Sequence, residues 1–275
     1  MAALCCSLGV AQDYSVRKID ADLSGVPQVD AEYWEDAPEV TVNLMAQMIV
    51  NPKPAEVKTD SVRIRIVHDG TFVAFRMQWR DTEVSEAGRL AEYSDAVALQ
   101  FPVRDNAAPP PIFMGAVDDP VHIFHWRAQY QHDAEHGKKT VKDIYPNMTA
   151  DMYPNDFPDR GNLKPATQEE VDVFLPAVAI GNPQSSPKNA VDEMMSEGFG
   201  TSAVIAGGCA RGRGAWRDGA WVVVISRALA CPNGSTLVEG EGSAYGVAVW
   251  QGGAGEVGSR KSITMMWTGF RIGGN

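Results

Sequence analysis

Hydrophobic and polar residues alternate along much of the chain with a period of two, which is typical of half-buried β-strands. The clearest example is residues 61–80, where Val62, Ile64 and Ile66 alternate with arginines and a second apolar run follows Asp69-Gly70. Asp-Gly tolerates the positive φ of a tight turn, so this segment is predicted to be a β-hairpin. Five further strands are predicted from short runs rich in Val, Ile and aromatic residues: 96–101, 121–127, 220–226, 245–250 and 262–267.

No long amphipathic helical pattern alternates with these strands, so a parallel βαβ sheet is not expected. Short helices are predicted only at 20–23, 31–34 and 191–196. Residues 131–200 are polar and rich in Pro and Asn, and a long stretch without regular structure is usually functional or contacts a partner. The predicted fold class is therefore mainly β: an antiparallel β-sandwich with a few short helices and a long irregular insertion.

Composition and charge narrow the function classes. A chain of 275 residues with 44% apolar residues can build a packed core. Its 35 acidic and 24 basic side chains give a net charge of −11, which argues against nucleic acid because phosphate binding needs clustered Lys and Arg. No run approaches the roughly 18 apolar residues that span a bilayer, so no membrane span is expected.

The N-terminal eleven residues, MAALCCSLGVA, are small and apolar. Gly9-Val10-Ala11 resembles the cleavage end of a secretory signal, although no Lys or Arg precedes the apolar stretch. We expect a truncated export signal at residues 1–11, followed by a single domain at 12–275. The alternative is a short, frayed N-terminal segment.

Cysteine usage excludes several redox centres. Cys209 is followed by Ala210-Arg211-Gly212, so the C-x-x-C-H motif for covalent c-type haem is missing. Paired C-x-x-C motifs of zinc ribbons and the cysteine runs of iron–sulfur ferredoxins are also missing. Cys209 and Cys231 could form one disulfide in an oxidising compartment, but spacing alone does not decide this.

A histidine cluster and a set of tryptophans support two alternative functions. His122, His125, His132 and His136 have spacings compatible with zinc. However, His122 and His125 are three apart on a predicted strand and should point to opposite faces, so surface or partner-facing roles are expected rather than a metal-dependent enzyme. The second alternative is a carbohydrate-binding module, with sugars stacked on four tryptophans that are otherwise expected in the core: Trp79, Trp126, Trp216 and Trp250.

Several blocks in fixed order resemble the haem b-binding γ subunits of molybdoenzymes related to ethylbenzene dehydrogenase, dimethylsulfide dehydrogenase, selenate reductase and chlorate reductase. The likeness spans about residues 14 to 270. The blocks are DAVALQFP at 95–102, FMG at 113–115, HWRAQYQHD at 125–133, VKDIYPN at 141–147, DMYP at 151–154, WVVVISRAL at 221–229, AVWQG at 248–252 and KSI at 261–263.

The resemblance implies one haem b whose iron lies between a methionine and a lysine, matching Met114 and Lys261 by motif position. Alone, Met114 would be interpreted as a core residue and Lys261 as a solvated charge. A thioether ligand raises the reduction potential, whereas a lysine must lose its proton to coordinate iron. Arg127 and Arg260 are candidate partners of the haem propionates, because guanidinium pairs well with carboxylates.

The resemblance further implies an electron-transfer subunit with no catalysis of its own, in a periplasmic complex. A molybdopterin α subunit and an iron–sulfur β subunit would be its partners, with an external carrier such as a c-type cytochrome. Because cluster-type cysteines are missing from this chain, the iron–sulfur clusters are expected in the β subunit.

Overall fold

The computed structural model describes residues 14–86, 88–103, 108–139, 141–147, 189–205 and 208–273, together with four single positions between 177 and 185. The predicted export signal at 1–11 and much of the predicted insertion lie outside the described residues. Within the described residues, no helix has the length and apolar character needed to cross a membrane.

Strands dominate the described part of the chain. They are β1 (Ser15–Lys18), β2 (Glu39–Asn43), β3 (Met45–Ala46), β4 (Ser61–His68), β5 (Phe72–Arg80), β6 (Ala96–Pro102), β7 (Val121–Arg127), β8 (Val191–Ser196), β9 (Ala203–Val204), β10 (Ala210–Arg217), β11 (Ala220–Ala228), β12 (Gly242–Trp250), β13 (Ser262–Ile263) and β14 (Thr268–Ile272). The α-helices are α1 (Ala128–His136) and α2 (Val141–Ile144), and short 3₁₀ turns occur at Glu32–Trp34 and Gly252–Ala254.

The strands form two layers. One runs β10-β11-β5-β4, with β2 also paired to β4, and the other runs β12-β6-β7-β8-β9. Strand β1 pairs in parallel with both β4 and β14, and β14 pairs with β12, so the layers are joined along one edge. All other pairings are antiparallel. The prediction of a mainly β, sandwich-like fold is confirmed.

Aromatic side chains from both layers fill the space between them. The Phe75 ring on β5 makes edge-on contacts with Phe101, Tyr245 and Phe270 of the opposite layer, at centroid distances of 5.4 to 5.7 Å. Burying a side chain of this size contributes about 1.5–3 kcal/mol, and favourable ring geometry adds to it. The apolar residues that alternate along β4 and β5 therefore face a packed core.

The predicted hairpin is confirmed, and its turn works as the sequence indicated. Gly70 has a φ of +97°, and the Asp69 carboxylate accepts hydrogen bonds from the backbone N–H groups of Thr71 and Phe72. The predicted strand at 262–267 is correct only in part, because β13 ends at Ile263 and β14 begins at Thr268.

The helix prediction at 191–196 is wrong: this segment is β8, paired with β7. Its Asp, Glu and Met residues favour a helix locally, but strand pairing and burial override that preference. Of the other helix predictions, 20–23 is not helical and 31–34 contains only the 3₁₀ turn. Part of the segment predicted to be irregular, 131–136, belongs to α1.

Cys209 and Cys231 form a disulfide, with a Cα–Cα distance of 5.7 Å. The bridge joins the residue just before β10 to the loop after β11. It therefore decides a pairing that the spacing had left open.

Candidate cofactor site

A cavity of about 320 Å³ lies on the outer face of the second layer, away from the core between the sheets. On β6, β7 and β12, the residues of one parity fill the core and those of the other parity face the cavity. This volume falls in the usual range for small-molecule and cofactor sites.

The floor of the cavity is made of residues that are paired across the strands. One row joins Ala248, Ala98 and His125, and the next joins Gly246, Gln100, Ile123 and Met194. Three of these seven have no side chain beyond Cβ, which leaves the sheet surface locally flat. A Cβ on Gly246 would lie 2.8 Å from both Gln100 Nε2 and Ile112 Cδ1, so a larger residue would displace these two side chains. The floor suits a flat, mostly apolar ligand.

Met114 reaches the cavity from a tight loop that follows the proline run. Its φ is +71°, in the left-handed region that side chains other than glycine rarely adopt. The Trp267 Nε1–H donates to the Pro110 carbonyl (2.7 Å), and the Gly198 N–H donates to the Met114 carbonyl (2.8 Å). Because such strained residues cluster at functional sites, the turn marks Met114 as a candidate site residue.

Gly115 explains why the chain can turn there. A Cβ at this position would lie 2.8 Å from the Asp119 carbonyl and 3.1 Å from the Ser196 carbonyl, and its φ is +79°. Only glycine fits both the backbone conformation and the space. The dipeptide Met114-Gly115 is thus held as one unit.

The Lys261 side chain enters the cavity from the position just before β13. Strand β13 lies between β12 and β3, and the Lys261 carbonyl accepts a hydrogen bond from the N–H of Gln47 (2.9 Å). The buried Gln47 side chain then fixes the neighbouring loops, because it donates to the carbonyls of Val50 and Ser259. The backbone beside Lys261 is therefore anchored on both sides.

The amine of Lys261 lies in apolar surroundings. Its Nζ is 4.8 Å from the centroid of the Trp250 ring. Among the described residues that line the cavity there is no carboxylate. Burial lowers the pKa of Lys261 to about 8, because the ammonium loses hydration and gains no counter-ion. A neutral amine, which can donate a lone pair, is within easy reach at neutral pH.

His125 lines the cavity, whereas the sequence had suggested it only as a member of a possible zinc cluster. Its ring stacks on Trp250 at 4.7 Å, and its buried Nε2 has no hydrogen-bond partner among the described groups. Burial, followed by the charges of Arg127 and Lys261, holds the pKa of His125 well below its usual value. The expected surface role is wrong for His122, which is fully buried, whereas His125 is half-buried and lines the cavity.

Sequence signals for His125 were present but weak. It has the same strand parity as Ile123, and it pairs with Ala98, which in turn pairs with Ala248. A histidine beside small residues on an otherwise apolar strand face indicates a cavity only once the strand order is known.

The four clustered histidines do not converge. His122 faces the core and His125 faces the cavity, as their spacing predicted, whereas His132 and His136 lie on α1. The four tryptophans do not form a common surface either. Trp79, Trp126 and Trp250 are at most 7% exposed, and Trp216 alone is partly exposed. The stacking surface required by the carbohydrate-binding alternative is therefore absent from these residues.

Arg127 and Arg260 flank the site but are not among the residues lining the cavity. The Arg127 guanidinium is engaged by the Asp192 carboxylate (3.4 Å) and the Tyr130 hydroxyl (3.1 Å). The guanidinium of Arg260 lies 5.6 Å from the Tyr93 ring. Their role as propionate partners stays a prediction.

Fold and site together define a β-sandwich protein with a cofactor-sized cavity on the outside of one sheet, lined by the thioethers of Met114 and Met194 and by the buried amine of Lys261. Residues 31–262 match the sequence profile of the ethylbenzene dehydrogenase family. The chain belongs to this family, as its ordered blocks had indicated.

Comparisons with individual proteins give one sequence relative and several distant structures. A putative respiratory nitrate reductase heme subunit of Haloferax mediterranei is 22% identical over 249 residues, covering 90% of this chain and 68% of that protein. A putative carbohydrate-binding protein from Bacteroides uniformis has a TM-score of 0.46 at 8% identity, covering 95% of this chain and 99% of that one. A family 9 carbohydrate-binding module from Caldicellulosiruptor kristjanssonii, solved with cellotriose, has a TM-score of 0.42 at 10% identity, covering 96% and 95%.

Proposed function

We propose that this chain is a haem b electron-transfer subunit of a molybdenum oxidoreductase, with Met114 and Lys261 as the axial ligands. One observation carries the proposal. Two residues that are far apart in the sequence, and that were selected by motif position alone, line the same apolar cavity. The relative named as a nitrate reductase heme subunit supports the same function.

The residues present fit a haem. The floor built from Ala98, Gly246 and Ala248 leaves room for a planar macrocycle against the sheet. The two donor types are chemically suitable, since a thioether and a neutral amine both offer lone pairs to iron. The orphaned Nε2 of His125 provides a polar contact for a group bound in the cavity.

The chain's own residues have distinct tasks in this proposal. The strained turn at Met114 aims the thioether, and the anchored backbone at Lys261 aims the amine from the end of β12 and β13. Apolar walls exclude water and keep Lys261 close to its neutral form. When bound, a haem with both axial positions filled by protein carries single electrons and performs no bond chemistry. The chain would therefore have no catalytic activity of its own.

Family membership and the relative named as a heme subunit support a proposal for the complex around the chain. We propose an iron–sulfur β subunit and a molybdopterin α subunit as partners, with an external carrier such as a c-type cytochrome, in the periplasm. The net charge of −11 suits docking of a basic partner, because opposite charges accelerate encounter.

Spectroscopy of the full chain expressed with haem tests the proposal. We expect sharp α and β bands on reduction and no change on adding carbon monoxide, because no axial position is open. Met114→Ala and Lys261→Ala should each open a position, lower the affinity for haem and make the reduced spectrum sensitive to carbon monoxide.

Matched controls separate ligand loss from general damage. Met266→Ala and Lys138→Ala remove the same side chains at exposed positions outside the cavity and should leave the spectrum unchanged. A folded chain that takes up no haem would overturn the proposal. An unchanged spectrum in either ligand variant would remove that residue from the ligand pair.

A further inference from the structure

A second group of potential ligands lies on the opposite face of β7 from the cavity. His122 Nε2 is 3.0 Å from Glu193 Oε1, and Cys209 Sγ is 3.2 Å from the same oxygen. The ligand atoms of His122, Glu193 and Cys231 all lie within 4.8 Å of one another. Four side chains with imidazole, carboxylate and sulfur donors therefore meet at one point.

This cluster is deeply buried. His122 is fully buried, and Glu193 and Cys231 are each 5% exposed. Cys209 is half-buried. The second oxygen of Glu193 accepts a hydrogen bond from the Cys209 N–H (2.9 Å), which keeps the carboxylate turned toward both sulfurs.

A buried cation sets the charge of the pocket. Arg227 is fully buried, lies 5.1 Å from the Phe124 ring and donates to the Ser235 hydroxyl (2.6 Å). With the disulfide intact, the Arg227 charge balances that of Glu193. Two thiolates would leave an excess of two negative charges, which one divalent cation would neutralise. The charges of the described residues around the cluster therefore sum to zero in two states: the disulfide without a metal, and the two thiolates with one divalent cation.

We propose that reduction of the Cys209–Cys231 disulfide opens a tetrahedral zinc site made of both thiolates, His122 Nε2 and a Glu193 carboxylate oxygen. Zinc prefers such nitrogen, oxygen and sulfur donors at about 2.0–2.3 Å, so its ligands lie roughly 3 to 4 Å apart. Small side-chain rotations bring the present atoms to that spacing once the sulfurs separate.

The second ring nitrogen of His122 fixes the present tautomer. Nδ1 accepts a hydrogen bond from the Ser235 backbone N–H (3.1 Å) and lies 3.1 Å from the Ser235 hydroxyl oxygen, so the ring proton is on Nε2 and faces Glu193. Zinc binding at Nε2 requires this proton to move to Nδ1, where the Ser235 hydroxyl oxygen accepts a hydrogen bond from it. Such outer contacts orient metal-bound histidines.

The chemistry balances in two steps. A dithiol gives two electrons and two protons to the disulfide, which becomes two thiols while the dithiol becomes a disulfide. Zinc then displaces one proton from each thiol, so two protons are released per ion bound. Reoxidation expels the metal. The disulfide would act as a gate on this site.

Metal binding to the full chain, prepared without haem, tests the proposal. The chain is reduced with a phosphine, which does not compete for metal as a dithiol does, and is then separated from it without oxygen. Native mass spectrometry should show one Zn²⁺ per reduced chain and none per oxidised chain. Co²⁺ in place of Zn²⁺ should give the intense visible bands of tetrahedral, thiolate-bound cobalt.

Variants identify the ligands. Glu193→Gln should lower zinc affinity at least tenfold. Glu197→Gln, which changes an exposed carboxylate just after β8 in the same way, should not. Cys209→Ser with Cys231→Ser should abolish the cobalt bands. Equal binding by the oxidised chain, no binding by the reduced chain, or full binding by the double serine variant would overturn the proposal. So would a chain that unfolds on reduction and does not regain its β-sheet circular dichroism when zinc is added.

Discussion

Binding of haem by the haem-free chain should depend on pH through the amine of Lys261. Only the neutral amine can coordinate iron, so at low pH a proton must leave before the complex forms. Burial lowers the pKa of this lysine to about 8. At pH 7, releasing the proton therefore costs about 1.4 kcal/mol, against about 4.6 kcal/mol for an ordinary lysine.

The size of the effect follows from the neutral fraction. With a pKa of about 8, that fraction rises about ninefold between pH 6 and 7 but only about twofold between pH 8 and 9. An ordinary lysine would still gain about tenfold between pH 8 and 9. Haem affinity should therefore climb steeply below pH 8 and level off above it.

Titration of the haem-free chain with haem at fixed ionic strength, followed by the Soret band, measures this curve. Lys261→Met is the matched control, because a thioether carries no proton and its affinity should vary little from pH 6 to 9. His125 does not complicate the result, since its pKa lies well below its usual value and its ring is neutral throughout.

Two results would refute this reasoning. Affinity that still rises tenfold between pH 8 and 9 would mean that Lys261 is not desolvated in the haem-free chain. The same pH dependence in Lys261→Met would mean that the titrating group is not Lys261.

Three further predictions concern stability and the loop that carries Met114. Burial and the nearby Asp95 carboxylate raise the pKa of Asp81 to about 7, so its stabilising contribution is full below about pH 4 and is lost as the pH rises through 7. The free energy of unfolding of Asp81→Asn, measured in urea, should therefore rise relative to that of the parent chain by up to about 3 kcal/mol between pH 5 and pH 8. A difference between the two chains that does not change with pH would contradict this. Trp126→Ala should lower the free energy of unfolding by about 3–5 kcal/mol because its side chain is fully buried, whereas Trp216→Ala should cost far less; equal costs would contradict the packing described above. Gly115→Ala should weaken haem binding more than Gly137→Ala, because a Cβ meets backbone atoms only at the first position although φ is positive at both; equal losses would show that the turn does not position Met114.

Local sequence patterns correctly predicted the elements whose strand pairing agrees with their own conformational preference. The hairpin of β4 and β5 and the strand β7 follow from alternation and a turn dipeptide. Strand β8 could not be predicted in this way, because its Val-Asp-Glu-Met-Met-Ser sequence is strand-like only when paired with β7. Its two acidic residues are buried by partners distant in sequence, Arg127 and His122.

The sequence named candidate ligands, whose role stays a prediction, but it did not predict how the cavity is built. Met114 and Lys261 came from motif position, and neither residue has a local pattern that indicates a cavity. The flat floor depends on strand order, which brings Gly246 beside Gln100 and Ala248 beside Ala98. His125 was missed because its burial comes from Trp250, on a different strand.

The position of the cavity has a consequence for how the protein is assembled. Side chains already fill the space between the layers, so a prosthetic group is not needed to complete the interior. Loading can follow folding, and loss of the group would leave the scaffold standing. The proposed haem would therefore lie near the periphery, where a docking protein would approach its edge without crossing the thickness of the sandwich.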